Sequence, residues 1–509
     1  MKKIEDKEQM YFSMKKMVNQ IEKYYIIVTI MCYALCEIAP VVAIIKYTPL
    51  YSYQRYLGII GILVITIDII LNKTIYTEKH SLYIYILLLI ATIASVTTSR
   101  YGIKENIFNL TWTLIMFLLF YKFSFKCDEK QLKNICRKLY YIIATIWLVS
   151  IIFSIASFLY NTGYDIVTNP YTPGAVTRQG FFENRLFGVF MSINDAAIMA
   201  GILLIISIYM LCRERRIYAK IFCSISFVFD SLFIILSGSR SAYYGLLCIS
   251  AIYIVYVIYS HLKINMKFFA KSVISLVVGL ILLSCIIMTV SILENILGKL
   301  PTFSFFENNK IYYEQFIEKI SDTEMLKKET ETKETEVKET EVKETDILQR
   351  KDIEGNNISN NRFNIWENYL GLYKQIGLVG LSPCNYSKVI ARSNPDIYIV
   401  KHIRDFYPDL YAEGKIYHPH SMYLAIYVFT GVIGTITFLT FWILCLKDLI
   451  RYFKYCKGKM QSIILVGIMI VIYGLFTSIF DQGLFFLTNI ISCIFWIALG
   501  YVMKSITEK

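Results

Sequence analysis

Four short stretches of the chain place arginine, histidine and tryptophan where they could do chemistry. Arg185 stands in Asn184-Arg185-Leu186-Phe187-Gly188, shortly before Asn194. Arg240 stands in Ser237-Gly238-Ser239-Arg240-Ser241. Arg362 and Trp366 are four residues apart, and so share one face of a helix. His418 and His420 flank Pro419. A guanidinium fork binds phosphate oxygens in bidentate fashion and stays charged at any working pH. A neutral histidine beside it can accept a proton from a sugar hydroxyl. Together these residue types describe glycosyl transfer from a polyprenyl diphosphate: arginines hold the leaving diphosphate and a histidine activates the attacking hydroxyl. Arginines that neutralise the developing charge leave no task for a metal ion, so neither metal nor cofactor is expected. Singly, each residue has a plainer use. Arg185 could anchor a span at the headgroups, Arg240 could cap helix ends, and Arg362 could be a surface ion-pair residue. His420 could face water, and His418 and His402 read as structural or solvent-facing.

The elements that must position these residues are membrane spans. Of 509 residues, 56% are hydrophobic and the mean hydropathy is +0.50, above the roughly 45–50% apolar content of soluble chains. The excess lies in runs of about 15–25 residues, long enough to cross a bilayer as helix. Spans are expected near 24–45, 57–71, 82–98, 107–121, 139–160, 188–212, 221–237, 241–261, 272–293, 420–446, 461–480 and 484–503. With the N-terminus inside, the inner tails and loops hold 28 Lys and Arg and the short outer loops seven. That bias sets both termini in the cytoplasm. It also accounts for the net charge of +13 without nucleic acid. The first apolar run, starting near Tyr24, lacks a following small-residue cleavage site and reads as helix 1 rather than a removed leader.

The expected fold is therefore an all-α polytopic membrane protein of about 12 transmembrane helices. Residues 1–23 form a cytoplasmic tail, 24–293 carry helices 1–9, 294–419 form one large extracytoplasmic loop with helices, and 420–509 carry helices 10–12 and a short tail. Within the loop, residues 328–345 read KETETKETEVKETEVKET, a charged repeat unable to bury a core. It is a spacer or a tolerated insertion. The second arm of the loop should open with a helix over 361–374. Cys384 is the only cysteine in the loop, so no disulfide framework is implied. Glu37, Asp68 and Asp230 fall inside spans, where they either mark a proton path or pair between helices. No phosphate-binding glycine loop, dinucleotide fingerprint or HExxH motif occurs, so ATP-driven transport and zinc hydrolysis have no support in the sequence. This topology puts Arg185, Arg240, Arg362, His418 and His420 on one side of the membrane.

Over approximately residues 180–440 the chain resembles the O-antigen ligase/polymerase superfamily of bacterial membrane glycosyltransferases. Arg185-Leu-Phe-Gly188 with Asn194-Asp195-Ala196-Ala197 is similar to its Arg-x-x-Gly element and downstream Asn-x-x-Ala. Ser237-Gly238-Ser239-Arg240-Ser241-Ala242 is similar to its Ser-x-Ser-Arg turn, the most specific piece. Arg362 to Trp366, then Gly377-Leu-Val-Gly380, resembles its Arg-x-x-x-Trp helix and glycine-rich loop. His420-Ser421-Met-Tyr423-Leu424, then Gly431-Val-Ile-Gly434, resembles the start of its next span. Ser382 and Ser421 stand where Gly and Asn are common.

The resemblance implies that Arg240 and Arg362 bind the diphosphate of an undecaprenyl-linked donor and that His420 is the base. Arg185 would be a supporting phosphate or sugar contact, with Asn194, Trp366 and His418 as substrate-binding neighbours. It also implies a metal-independent, inverting reaction at the extracytoplasmic face of the bacterial plasma or inner membrane. The expected function is polymerisation of lipid-linked repeat units into a capsular or O-antigen-like surface polysaccharide. A ligase passing finished glycan to another acceptor is the alternative. A flippase for lipid-linked oligosaccharide is the alternative of another class, although no internal repeat supports it. Partners would be the lipid-linked donor and acceptor, the bilayer and other polysaccharide-assembly membrane proteins.

Overall fold

A long run of Leu, Ile, Val and Phe can satisfy its own backbone without water only as helix, and in the computed structural model the long apolar runs are helices. It describes residues 2–72, 80–167, 176–262, 268–321, 361–456, 462–481 and 483–507. The charged repeat at 328–345 lies outside the described residues. Among the described residues, nine helices are long and apolar enough to cross a membrane. Two more of the expected spans, at Ser81–Thr97 and Ile463–Thr477, are apolar but shorter. The expected first span is divided: one helix ends at Cys36 and another starts at Ala39, with Pro40 in its first turn. A proline there has no amide to contribute to the ladder, and the break falls just before it. The helix expected from 188 begins instead at Ile193, because residues 185–188 form a strand. Only 11% of the most apolar window of Ser272–Thr302 is buried, leaving Ile281, Met288 and Ile292 exposed, as on a lipid-facing helix.

The chain divides into two compact units. The first comprises Met1–Ile30, Gln54–Arg137 and Gly355–Lys509. In it, Met422–Tyr455 packs along Ser81–Thr97, and Ser462–Thr477 packs along Ile490–Thr507. Ile490–Thr507 also lies against a π-helical turn, Met116–Tyr121. Gly500 makes that approach possible, since a Cβ there would sit 2.1 Å from the Tyr121 carbonyl oxygen. Phe117, Tyr121, Phe485 and Trp496 fill the space with edge and stacked ring contacts. Asp68 meets the buried Lys126 ammonium, which also bonds Glu22 at 2.7 Å. This acid therefore takes the pairing role between helices. Asp230, in the second unit, accepts from Ser226 of its own helix at 2.9 Å.

A cap of short helices over residues 361–421 completes the first unit. Arg362–Gly371 and Tyr373–Ile376 replace the single helix expected over 361–374. Gly431 interrupts Met422–Tyr455 with φ 64° and ψ −163°, a backbone that is essentially open only to glycine. The loop after Gly377 enters the gap. Leu381 and Ser382 donate to the Val428 and Phe429 carbonyls, while Val432 and Ile433 donate to the Gly377 and Leu378 carbonyls. The broken helix thus has its freed backbone groups satisfied by the loop rather than left bare. Ser382 takes φ 70°. Its hydroxyl accepts from Thr98 and from the Asn385 amide.

The second unit comprises Met31–Tyr53 and Lys138–Glu354. Ile193–Arg213 packs along Ile217–Ser237, and Arg240–His261 along Phe268–Leu297. An antiparallel sheet, absent from the all-helical expectation, precedes them: β1 Gly163–Val167, β2 Val176–Phe182 and β3 Arg185–Gly188. Glu183 and Asn184 turn between β2 and β3 with φ 50° and 59°, the paired left-handed geometry of a two-residue hairpin. Gly188, at φ 65°, lets the chain close on Ser154, whose hydroxyl accepts from the Val189 amide at 3.1 Å.

Candidate functional site

The sequence-selected residues fall into two constellations, one in each unit. In the first unit Asn361, at φ 61°, opens the helix Arg362–Gly371. Asparagine tolerates that left-handed backbone better than most residues. The four-residue spacing then sets Trp366 one turn beyond Arg362. The Trp366 indole donates to the Pro419 carbonyl at 2.9 Å and stacks on Phe480 at 6.4 Å between centroids. Tyr369, one turn further on the same side as Ile365, donates to the Tyr417 carbonyl. Two side chains of one helix therefore grip the backbone on both sides of His418.

The chain around the histidines is shaped by Pro419. A residue before proline is pushed to extended backbone, and His420 after it turns left-handed at φ 48°. Non-glycine residues in that region carry strain on the order of 1 kcal/mol and persist where surrounding structure enforces them. The enforcing contacts are visible: the Trp366 bond on one side, and on the other the Met422 amide, which donates to the Ser478 and Asp481 carbonyls at 2.9 Å. His420 thus precedes the span Met422–Tyr455. It is held between the Arg362 helix and the segment Ser478–Asp481.

The histidines have different electrostatics. His418 packs against Tyr386, Phe429 and the His420 ring. Burial, and secondarily the neighbouring His420, push its pKa down to about 3. It is neutral at any physiological pH and cannot carry a proton there. His420 is also lowered, by burial first and then by the Arg362 guanidinium, while the Asp481 carboxylate pulls it back up. A neutral imidazole with a carboxylate in its field has the electrostatics of a proton acceptor. Asp481 was not singled out in the sequence. The available signal was a lone acid in the apolar run Ile479-Phe480-Asp481, at the end of an expected span.

The second constellation surrounds the Ser-Gly-Ser-Arg turn. Gly238, at φ 59°, ends the helix Ile217–Ser237, and Ser239 precedes Arg240–His261. Arg185 Nε donates to the Ser237 carbonyl at 3.1 Å. Ser239 donates to Asn194 at 3.2 Å. The Ser239 amide donates to the Ser237 hydroxyl at 3.2 Å. Arg185, through the Ser237 carbonyl, and Asn194, through the Ser239 hydroxyl, are therefore tied to the turn that carries Arg240. Arg240 is the first residue of its helix. Cations are disfavoured at that positive end of the dipole, whereas an anion there meets amides and guanidinium together. Gly238 and Ser239 stand at the C-cap and N-cap positions of the two helices.

Trp366→Phe should keep the stacking but remove the bond to Pro419. Thermal stability is expected to fall by about 1 kcal/mol, the scale of one lost hydrogen bond. Thermal unfolding of purified Trp366→Phe would show it, and wild-type stability would mean that the indole bond does not hold the chain beside His420.

Residues 225–439 match the family model described as O-antigen ligase. The match spans Arg240, Arg362, Trp366, His418 and His420, with Arg185 and Asn194 ahead of it. No curated protein and no solved structure matches the chain.

Proposed function

We propose, from the premise that residues 225–439 belong to the O-antigen ligase/polymerase superfamily, that the chain is a membrane glycosyltransferase acting on undecaprenyl-diphosphate-linked glycans. An acceptor hydroxyl oxygen bonds to the anomeric carbon of the donor, and the bond from that carbon to the diphosphate breaks. The leaving diphosphate keeps the electron pair, and the hydroxyl proton passes to His420. One displacement of this kind inverts the anomeric centre. In this reading Arg362 is the phosphate-binding side chain beside His420 in the first unit, Arg240 and Arg185 are phosphate-binding side chains of the second unit, and Asn194 fixes the turn that carries Arg240. Guanidinium charge takes up the negative charge that develops on the leaving group, so no metal ion is required. His418 supports the His420 ring rather than meeting the proton.

The observation that carries the reading is the setting of His420: strained backbone, a neutral ring, and Arg362 and Asp481 as its charged neighbours. The excess of basic residues in the expected inner loops supports an extracytoplasmic active face in a bacterial plasma or inner membrane. Of the two acceptors, a second lipid-linked repeat unit is favoured, making the protein a surface-polysaccharide polymerase. Purified protein in liposomes, given its own lipid-linked repeat unit and EDTA, should produce a ladder on a sizing gel. Product only after addition of a separate acceptor glycan would make it a ligase. Movement of the lipid-linked unit across the bilayer with no covalent product would make it a flippase and overturn the reading. Loss of the ladder with EDTA, restored by a divalent ion, would overturn the metal-free mechanism.

A further inference from the structure

The sheet of the second unit has two unlike faces. Alternation along β2 and β3 sends Gln179, Phe181 and Leu186 inward, where all three are buried. The other face carries Arg178, Phe182, Arg185 and Phe187. Phe182 and Arg185 are register partners across the hairpin, and Asp165 of β1 is the register partner of Arg178. The side chains form a continuous ladder. The Arg178 guanidinium lies 4.0 Å from the Phe182 centroid and 6.0 Å from that of Phe187. Arg185 lies 5.5 Å from the Phe187 centroid. Arg178 is also paired with Glu183 at 3.3 Å, and these two side chains are 42% and 49% exposed. Phe182 is exposed as well.

Phe182, the last residue of β2, is exposed and adds little to the fold's core, so part of its ring is open to a partner. The chemistry offered is specific: flat apolar rings, guanidinium donors, and carboxylate acceptors from Glu183 and Asp165, all on one face. A pyranose needs that combination, since its C–H face is apolar and its rim alternates hydroxyl donors and acceptors. A phosphate alone would use the guanidiniums and be repelled by both carboxylates. The ladder ends at Arg185, whose Nε is fixed on the Ser237 carbonyl beside Arg240.

We propose that this face of the sheet is a glycan subsite. It holds the sugar nearest the diphosphate of the lipid-linked substrate, with Phe182 and Phe187 as the stacking surface and Arg178 with Glu183 as the hydroxyl contacts. The inference rests on the assignment of Arg185 and Arg240 to phosphate binding, and it adds the substrate's saccharide as the group recognised by Arg178, Phe182 and Phe187.

The test is a binding measurement on intact protein in nanodiscs with two labelled probes, bare undecaprenyl diphosphate and the lipid-linked repeat unit. Phe182→Ala should weaken binding of the repeat unit by about tenfold, the scale of one lost aromatic stacking contact. Binding of the bare diphosphate should not change. Glu183→Gln, which leaves the rings in place, should give a smaller loss of the same kind. Equal weakening for both probes would mean that the face serves phosphate binding or the fold, and no weakening for either would remove the subsite. Size-exclusion profiles matching wild type establish that the variants fold. Activity separates the proposed reaction from the proposed subsite. Wild-type protein that makes no glycosidic product overturns the proposed reaction, while selective loss of repeat-unit binding still identifies a glycan site.

Discussion

His420→Ala should reduce glycosyl transfer by about 10²–10⁴-fold, the range associated with a positioned general base, with membrane insertion and solubilised yield unchanged. A sugar hydroxyl is a weak acid and a poor nucleophile until its proton has somewhere to go, and His420 is the histidine of this pair able to take it near neutral pH. His418 is held neutral to about pH 3 by burial. His418→Gln should therefore leave more activity than His420→Ala. The pH profile supplies a second readout. In the proposed reaction His420 acts in its neutral form, and burial and Arg362 hold its pKa below the ordinary histidine value. Activity should be full at neutral pH and fall on acidification, with its midpoint below 6.5, the ordinary histidine value. Asp481 raises the His420 pKa, so Asp481→Asn should move the acid limb to lower pH. Arg362 lowers it, so Arg362→Gln should move the limb of its residual activity to higher pH. Normal polymer from His420→Ala would end the assignment, and an acid limb that none of these substitutions moves would assign the titration to another group.

How much of this was readable beforehand follows from which physics acts over short sequence distances. Apolar length is a local property and so was legible: among the described residues, nine helices of sufficient length and apolarity lie where spans were expected. The hairpin was not read, although its signals were present: alternation through Arg178-Gln179-Gly180-Phe181-Phe182 and the Glu183-Asn184 turn. They lay beside a strongly apolar helix, and the apolar run was extended over Gly188 into a region that the structure makes a strand. The helical spacing of Arg362 and Trp366 was legible. That the indole would hold the Pro419 carbonyl was not, because that contact joins residues 53 positions apart. Asp481 was missed for the same reason: its meaning comes from His420, which only the fold brings near. The two glycine pairs, Gly377 with Gly380 and Gly431 with Gly434, could be noted as a pattern. Their use depends on a meeting of two segments that no periodicity encodes.

That meeting gives the prediction with the largest effect on stability. Gly431→Ala should destabilise the first unit by about 3 kcal/mol or more, combining a glycine-only backbone with overpacking. At φ 64° and ψ −163°, an added Cβ would stand 2.4 Å from the Leu378 carbonyl oxygen and 2.6 Å from the Gly380 nitrogen. Backbone atoms cannot swing aside as a flexible side chain can, so the loop would have to leave the gap. Its departure would strip partners from Val428, Phe429, Val432 and Ile433 together. Gly380→Ala meets the reciprocal obstacle, 2.4 Å from the Thr430 nitrogen and Phe429 carbonyl carbon. If the two act through one lock, the double variant should cost less than the sum of the single ones, since a loop already displaced by one methyl does not meet the other. The functional consequence follows from the chain path. The loop leads through Ser382 and Asn385 to Tyr386, whose ring supports His418, and the broken helix begins two residues after His420. Thermal unfolding of detergent-solubilised Gly431→Ala, Gly380→Ala and the double variant measures the coupling. Additive losses would mean that the glycines serve separate purposes, and wild-type stability in either single variant would show that the helix closes without the loop.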